Sequence, residues 1–233
     1  MKRSFENVIF VLLLLPLIYF FRKPDYDIFN VNLELFYHIS AIILITFGLV
    51  LRVYTRNIKF MMSHGGLVTT DIYGIVRNPM YVASFLIGLG LTLIVGNLFL
   101  IIGYTLLFFI IHNLIALREE KLLESFFGDE YLEYKKNVNR WIPKISKYKP
   151  EKLNMSIMDW YEAVSREQNT ILGILVIVLF LFLIINGDSY HQFSQISEHS
   201  FLINGIYIVI TSWVILDIVY RIVKKNIKNN KLI

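Results

Sequence analysis

Six long apolar runs, separated by segments that carry nearly all of the charge, leave this chain few ways to fold. They lie at roughly 5–21, 35–53, 80–96, 98–117, 170–186 and 202–220. Each approaches the about 20 residues that a helix needs to cross the hydrocarbon of a bilayer. Lipid offers the backbone no hydrogen-bond partners, so a run of this kind must satisfy its own amides, as a helix does. Hydrophobic residues make up 56% of the 233 positions, a surplus that a water-facing surface cannot absorb. The pattern predicts an all-α polytopic membrane protein of about six transmembrane helices. Gly96-Asn97 parts the third run from the fourth and reads as a tight helical hairpin. The first run follows Lys2-Arg3 as a signal peptide would, but it has no small-residue cleavage site and ends in Phe20-Phe21-Arg22-Lys23. It reads as a retained helix, kinked at Pro16.

The basic residues orient this array. With both termini in the cytoplasm, 21 of the 23 lysines and arginines fall in cytoplasmic segments, and only Arg22 and Lys23 lie outside. The expected protein is therefore multi-pass, with both ends inside, most simply in the cell membrane. Two cytoplasmic segments, 54–79 and 118–169, are long enough to hold chemistry. In the second, Ser156-Ile-Met-Asp159 resembles a capping box and precedes Trp160, Tyr161 and Val164. That suggests a helix lying on the membrane surface, or simply a linker into the fifth span.

Several function classes drop out. Without cysteine there is no disulfide, thiolate metal site or cysteine nucleophile. The five histidines, His38, His64, His112, His191 and His199, show no ligand spacing, so no metal is expected. A net charge of +5 raises the question of nucleic acid, but topology accounts for the basic residues and no such partner is expected.

Two segments carry the chemical signal. Tyr73-Gly-Ile-Val-Arg77-Asn-Pro-Met-Tyr81 stands just before the third span. Gly65-Gly66 and Gly74 permit tight backbone, and Pro79 suits only the first turn of a helix. A helix start presents unpaired amides that suit a carboxylate, while Arg77 and Tyr81 equally suit an interfacial anchor. The second segment runs from Arg118-Glu119-Glu120 through Phe127-Gly128-Asp-Glu-Tyr131-Leu-Glu-Tyr134 to Pro143. It continues the fourth helix out of the membrane until Gly128 stops it, and a short amphipathic helix with Tyr131 and Tyr134 follows. Glu119 and Glu120 emerge where carboxylates can accept hydrogen bonds from ribose hydroxyls, or form a solvated charge cluster. His112-Asn113, inside the end of the fourth helix, suits a substrate cavity or a helix–helix hydrogen bond. Asp217 and Arg221 suit an interfacial ion pair.

In this order, joined by a two-helix hairpin, the segments resemble the superfamily of isoprenylcysteine carboxyl methyltransferases and phospholipid methyltransferases, over roughly residues 40–145. The resemblance implies a pocket for S-adenosylmethionine at the cytoplasmic face. Tyr73, Arg77, Asn78, Pro79, Tyr81, Glu119, Glu120, Tyr131 and Tyr134 would bind this cofactor, with Glu120 favoured over Glu119 for direct contact. Glu120 and Arg140 are the expected catalytic residues. The implied activity is methyl transfer to a lipid-like, amphiphilic acceptor that partitions into the membrane, an isoprenylcysteine-like carboxylate or a lipid amine or thiol. The implied domains are a methyltransferase core over 1–145, an interfacial connector over 146–169 and a two-helix extension with a basic tail over 170–233. The chain departs from the family where Asp71-Ile72 replaces Gly-Pro, where Asn78 replaces the box histidine, and where Asn137-Val-Asn139 replaces an Arg-Val-Pro-like tail. Asn78 cannot titrate, and Arg140 is the nearest guanidinium to take over the grip on a substrate carboxylate. The alternatives are an NADPH-dependent reductase of the sterol or steroid type, whose Arg-x-Pro-x-Tyr box is similar, or a non-catalytic membrane binding protein.

Overall fold

The computed structural model describes residues 13–14, 16–18, 20–21, 31–62, 66–145 and 157–190. The chain divides into two compact units, Met1–Ile171 and Leu172–Ile233. Among the described residues, five helices have defined bounds: α1 Val31–Met62, α2 Ile72–Ile75, α3 Pro79–Val95, α4 Leu98–Asn137 and α5 Ile157–Tyr190. The described residues contain no strand, only one parallel bridge between Val76 and Asn139.

The expected spans at 35–53, 98–117 and 170–186 fall within helices and that at 80–96 overruns α3 by the single residue Gly96, but two helices are longer than the apolar pattern. Helix α1 runs nine residues past the expected end of its span, into the segment read as cytoplasmic loop. Its last turns are polar and basic, and they hold their place through the contacts described below. The residues after Ser156, expected as a surface helix or a linker into the fifth span, form the beginning of α5, a single helix continuous with the fifth apolar run. Nothing between Ile157 and Tyr190 breaks it: there is no proline, and Gly173 meets no crowding. Ser156, the sixth run at 202–220, Asp217 and Arg221 lie outside the described residues, as does most of the first run.

Helix ends follow local chemistry. Pro79 opens α3 at its first turn, where its missing amide costs nothing, and Gly96 closes the helix at φ 68. Asn97 then caps α4, its side chain accepting from the Leu100 amide at 3.1 Å. This is the expected hairpin. Within α4, Gly128 takes φ 52 and ψ −127, a conformation open essentially to glycine alone, and bends the helix there.

Helix α1 packs on α3 and α3 on α4. The α1–α3 contact is antiparallel and built on small residues. A Cβ placed on Gly48 would lie 2.9 Å from the Ala83 carbonyl, and one on Gly90 would lie 2.9 Å from the Ala41 carbonyl. Small residues let the two backbones touch, which is how helices gain attraction where lipid removes the hydrophobic drive. At Gly88 the same economy admits the Tyr104 hydroxyl, which donates to the Phe85 carbonyl at 3.2 Å.

Among the described residues, two helices, over Leu35–Phe60 and Leu98–Asn137, are long and apolar enough to cross a membrane, and α3 is a shorter apolar helix. Leu35, Ile39, Ile43 and Phe47 on α1 and Phe99, Ile102, Leu106, Ile110 and Leu114 on α4 are large, apolar and exposed. Recurring every three or four residues, they form stripes that suit lipid better than water.

Candidate functional site

The tyrosine–proline segment and the helix that leaves the hairpin meet around Glu120. This residue is 2% exposed, on the polar continuation of α4. Its carboxylate accepts from Arg77 Nη2 at 3.1 Å, from Arg140 Nε at 2.8 Å and from Arg140 Nη2 at 2.7 Å. Burial works against the charged form of Glu120. The hydrogen bonds and charges of Arg140 and Arg77 outweigh it and hold the carboxyl below its usual range. Arg140 is correspondingly held above its own ordinary value, chiefly by its hydrogen bonds to Glu120.

Arg77 also ties the segment to the chain beyond Gly128. Its Nη1 donates to the carbonyls of Lys135 at 2.7 Å and Val138 at 2.9 Å. Its backbone amide donates to Asn139 at 2.8 Å, and Lys144 donates back to Ile75 at 3.0 Å. The Tyr134 hydroxyl donates to the Tyr73 carbonyl at 2.7 Å. Tyr131, Tyr134 and Val138 form a small core against which Leu67, Leu123 and Phe127 pack. Burial and the nearby Glu120 charge push the Tyr131 phenol up to about 12, so it stays protonated at neutral pH. Upstream, Asp71 starts α2 from the unusual φ of 53, accepting from the Ile72 amide at 2.7 Å and the Tyr54 hydroxyl at 2.8 Å. With ψ at −128 this is the same glycine-favoured conformation as at Gly128, so the Asp71 backbone is strained and is held in place by these two hydrogen bonds.

Two adjoining cavities, each of about 220 Å³, open against this framework. Tyr73, Arg77, Asn78 and Glu119 line both. The first also reaches Pro79, Tyr81 and His112, and the second Glu120, Tyr131 and Tyr134. All nine expected cofactor residues thus border one or both cavities. Asn78 Nδ2 is buried with no hydrogen-bond partner, and although Asn78 caps α3 its side chain makes no capping bond. A buried donor of this kind suits a ligand acceptor.

Two expectations take a different form. Glu120, the favoured ligand contact, has both oxygens engaged by arginines, whereas Glu119 lines both cavities. Arg140, expected to grip an acceptor carboxylate, borders neither cavity. Its guanidinium faces Glu120 and, through Nη1 at 2.7 Å, the Asn113 side-chain oxygen. The reason is electrostatic: a carboxylate buried on α4 requires cations close by, and Arg140 supplies one.

Arg52, Lys59 and Ser84, which no sequence motif singles out, also line the first cavity. In the sequence Arg52 and Lys59 stand out only as basic residues that orient the chain. Their spacing, with Arg56 between them, places all three along one side of a helix, a signal that becomes visible once α1 is known to extend to Met62. Beside the first cavity, which Tyr81 and His112 line, Tyr81 meets the His112 ring at 5.4 Å and the Trp141 ring at 6.1 Å, and Phe108 stacks on His112 at 3.8 Å.

Residues 36–130 match the phospholipid methyltransferase family. A protein-S-isoprenylcysteine O-methyltransferase of Schizosaccharomyces pombe is 39% identical over 79 residues, 34% of this chain and 34% of that protein. Its counterpart in Xenopus laevis is 38% identical over 85 residues, 36% of this chain and 30% of that protein. An uncharacterized protein of Haemophilus influenzae is 43% identical over 63 residues, 27% of this chain and all of its own length. A solved eukaryotic intramembrane Ras methyltransferase, isoprenylcysteine carboxyl methyltransferase, aligns with 64% of this chain and 56% of its own, at 26% identity and a TM-score of 0.43. The chain spans about a third of the length of the curated methyltransferases it matches. Through the segment bearing the arginine–asparagine–proline box and the acidic pair, the chain belongs to the superfamily of phospholipid and isoprenylcysteine carboxyl methyltransferases.

Proposed function

We propose that this protein transfers a methyl group from S-adenosylmethionine to a membrane-partitioned acceptor carrying a carboxylate, of the isoprenylcysteine type. The observation that carries the reading is the convergence of Tyr73, Arg77, Asn78 and Glu119 on two adjoining cavities, with the Asn78 side-chain amide buried and unpartnered.

The residues present fit such a cofactor. Asn78 offers an unused donor, the start of α3 offers backbone amides, and Glu119 offers a carboxylate to ribose hydroxyls or to positive charge. S-adenosylmethionine supplies, when bound, a methyl group on positively charged sulfur, and its transfer to a carboxylate oxygen yields an ester and a thioether without releasing a proton. The chain then has chiefly to hold donor and acceptor in line and exclude water. Glu120, locked between Arg77 and Arg140, keeps the two sequence segments together so that the cavities keep their shape. Tyr81, Phe108, His112 and Trp141 form an aromatic wall able to shield the reacting groups. An acceptor that is already an anion needs no general base, which agrees with a non-titrating asparagine in the box. By the distribution of basic residues, the cofactor enters from the cytoplasm and the acceptor from the lipid, with both chain ends inside.

Calorimetry in detergent and labelled-methyl transfer test this reading. S-adenosylmethionine and S-adenosylhomocysteine are expected to bind saturably, and label is expected on N-acetyl-S-farnesylcysteine rather than on phosphatidylethanolamine. Binding of NADPH alone would instead indicate a reductase, and silence with all three cofactors a non-catalytic protein.

A further inference from the structure

Part of α5 reaches the candidate site from outside the matched segment, 36–130. Glu167 is fully buried, and its carboxylate pairs with the Nε atoms of both Arg52 and Arg56 on α1. Thr170 Oγ1 donates to it as well, at 2.8 Å. Nearby, Trp160 stacks on Tyr54 at 6.3 Å, and the Arg166 guanidinium lies 4.0 Å from the centre of the Phe60 ring. The early turns of α5 are thereby fastened to the polar end of α1.

Arg52 is held from two sides. Glu167 takes its Nε, and its Nη1 donates to Ser84 Oγ at 2.6 Å. Ser84 donates in turn to the Met80 carbonyl at 2.9 Å, in the opening turns of α3. A guanidinium has five N–H groups in one plane, and these two bonds leave three for a further partner. The same side chain forms part of the wall of the first cavity, with Lys59 and Arg77. One carboxylate set between two arginines leaves the cluster with a net positive charge, so an anion in the cavity would relieve it.

We propose that Arg52 contacts a ligand carboxylate in the first cavity and that Glu167 is its positioning residue. The inference rests on the methyltransferase reading. A planar fork recognises a carboxylate only when its orientation is fixed, and a long side chain without Glu167 regains rotamers that blur the fork. The carboxylate belongs either to the amino-acid end of the methyl donor or to a prenylcysteine acceptor; both present the same chemistry. In this account the described start of α5 completes the pocket.

Two ligand pairs, titrated by calorimetry into the full chain in detergent, separate these sources. S-adenosylhomocysteine carries the donor carboxylate and 5′-methylthioadenosine lacks it. N-acetyl-S-farnesylcysteine carries the acceptor carboxylate and its methyl ester masks it. Glu167→Gln is expected to weaken the carboxylate-bearing member of one pair about tenfold and leave the other member within about twofold. Arg52→Lys, which keeps the charge but loses the fork, is expected to do the same should Glu167→Gln fold poorly, and Glu167→Asp is expected to recover part of the loss. The pair that responds identifies the source. An equal loss for both members of each pair would make Glu167 a purely structural residue, and unchanged affinities in both variants would remove Arg52 from the pocket; either result overturns the inference. Wild-type protein that binds none of the four ligands would overturn the methyltransferase reading and this inference with it.

Discussion

Arg77 and Glu120 stand 43 residues apart in the chain and 3.1 Å apart in space, both nearly buried, with Arg140 closing on the other side of the carboxylate. This ion triad fastens the turn before α3 to the polar end of α4. It also divides the work of the acidic pair, since Glu120 serves the framework while Glu119 borders both cavities.

Replacing the two glutamates should therefore have separable effects. Glu120→Ala leaves two arginines facing each other, and breaking a buried pair in this way costs about 3–5 kcal/mol. It is expected to lower the thermal midpoint in detergent, with ligand affinity falling as a consequence. Glu119→Ala is expected to weaken S-adenosylhomocysteine while lowering the midpoint less than Glu120→Ala does, since Glu119 is half-buried and Glu120 is 2% exposed. Equal loss of stability in both would show that the division is wrong.

The triad also implies an acid limit. The Glu120 carboxyl is held below its ordinary value of 4.5. A depressed carboxyl contributes stability above its unfolded pKa and loses that contribution as pH falls through the folded one. The difference in midpoint between wild type and Glu120→Gln should thus be full above pH 4.5 and shrink as pH falls below it. A difference that stays constant down to the lowest accessible pH would count against the arginine pairing.

Asn78 is testable in both directions. Asn78→Leu removes the buried donor, and losing one hydrogen bond to a charged group costs about 1.5–3 kcal/mol, so S-adenosylhomocysteine should bind about tenfold or more weakly. Asn78→His restores the residue that the family box resemblance calls for and should keep binding within a few-fold of wild type. Indifference of calorimetric affinity to both changes would place the asparagine outside the site.

The α1–α3 contact makes a stability prediction remote from the cavities. Gly48→Leu and Gly90→Val push side chains into the Ala83 and Ala41 carbonyls, where a Cβ would already sit at 2.9 Å. Overpacking typically costs about 1–3 kcal/mol, so both should lower the thermal midpoint. Gly173→Ala, where a Cβ meets nothing, should not.

Much of this architecture could be read in the chain itself because it rests on local rules. Apolar length marked the helices, Gly96-Asn97 marked the hairpin, Pro79 marked a helix start and Gly128 marked a bend, each a consequence of backbone chemistry within a few residues. The box and the acidic pair were legible as motifs for the same reason. Tertiary structure decided that Glu120 is the member of the pair locked by arginines while Glu119 borders both cavities, because two adjacent residues on a helix point in different directions and only packing says which meets Arg77 and Arg140. It also carried α1 past the end of its apolar run and brought Glu167 to Arg52, 115 residues away. A buried charge pair of that kind leaves no periodicity in the sequence: each residue alone looks like an ordinary polar position, and the partnership exists only where the helices meet.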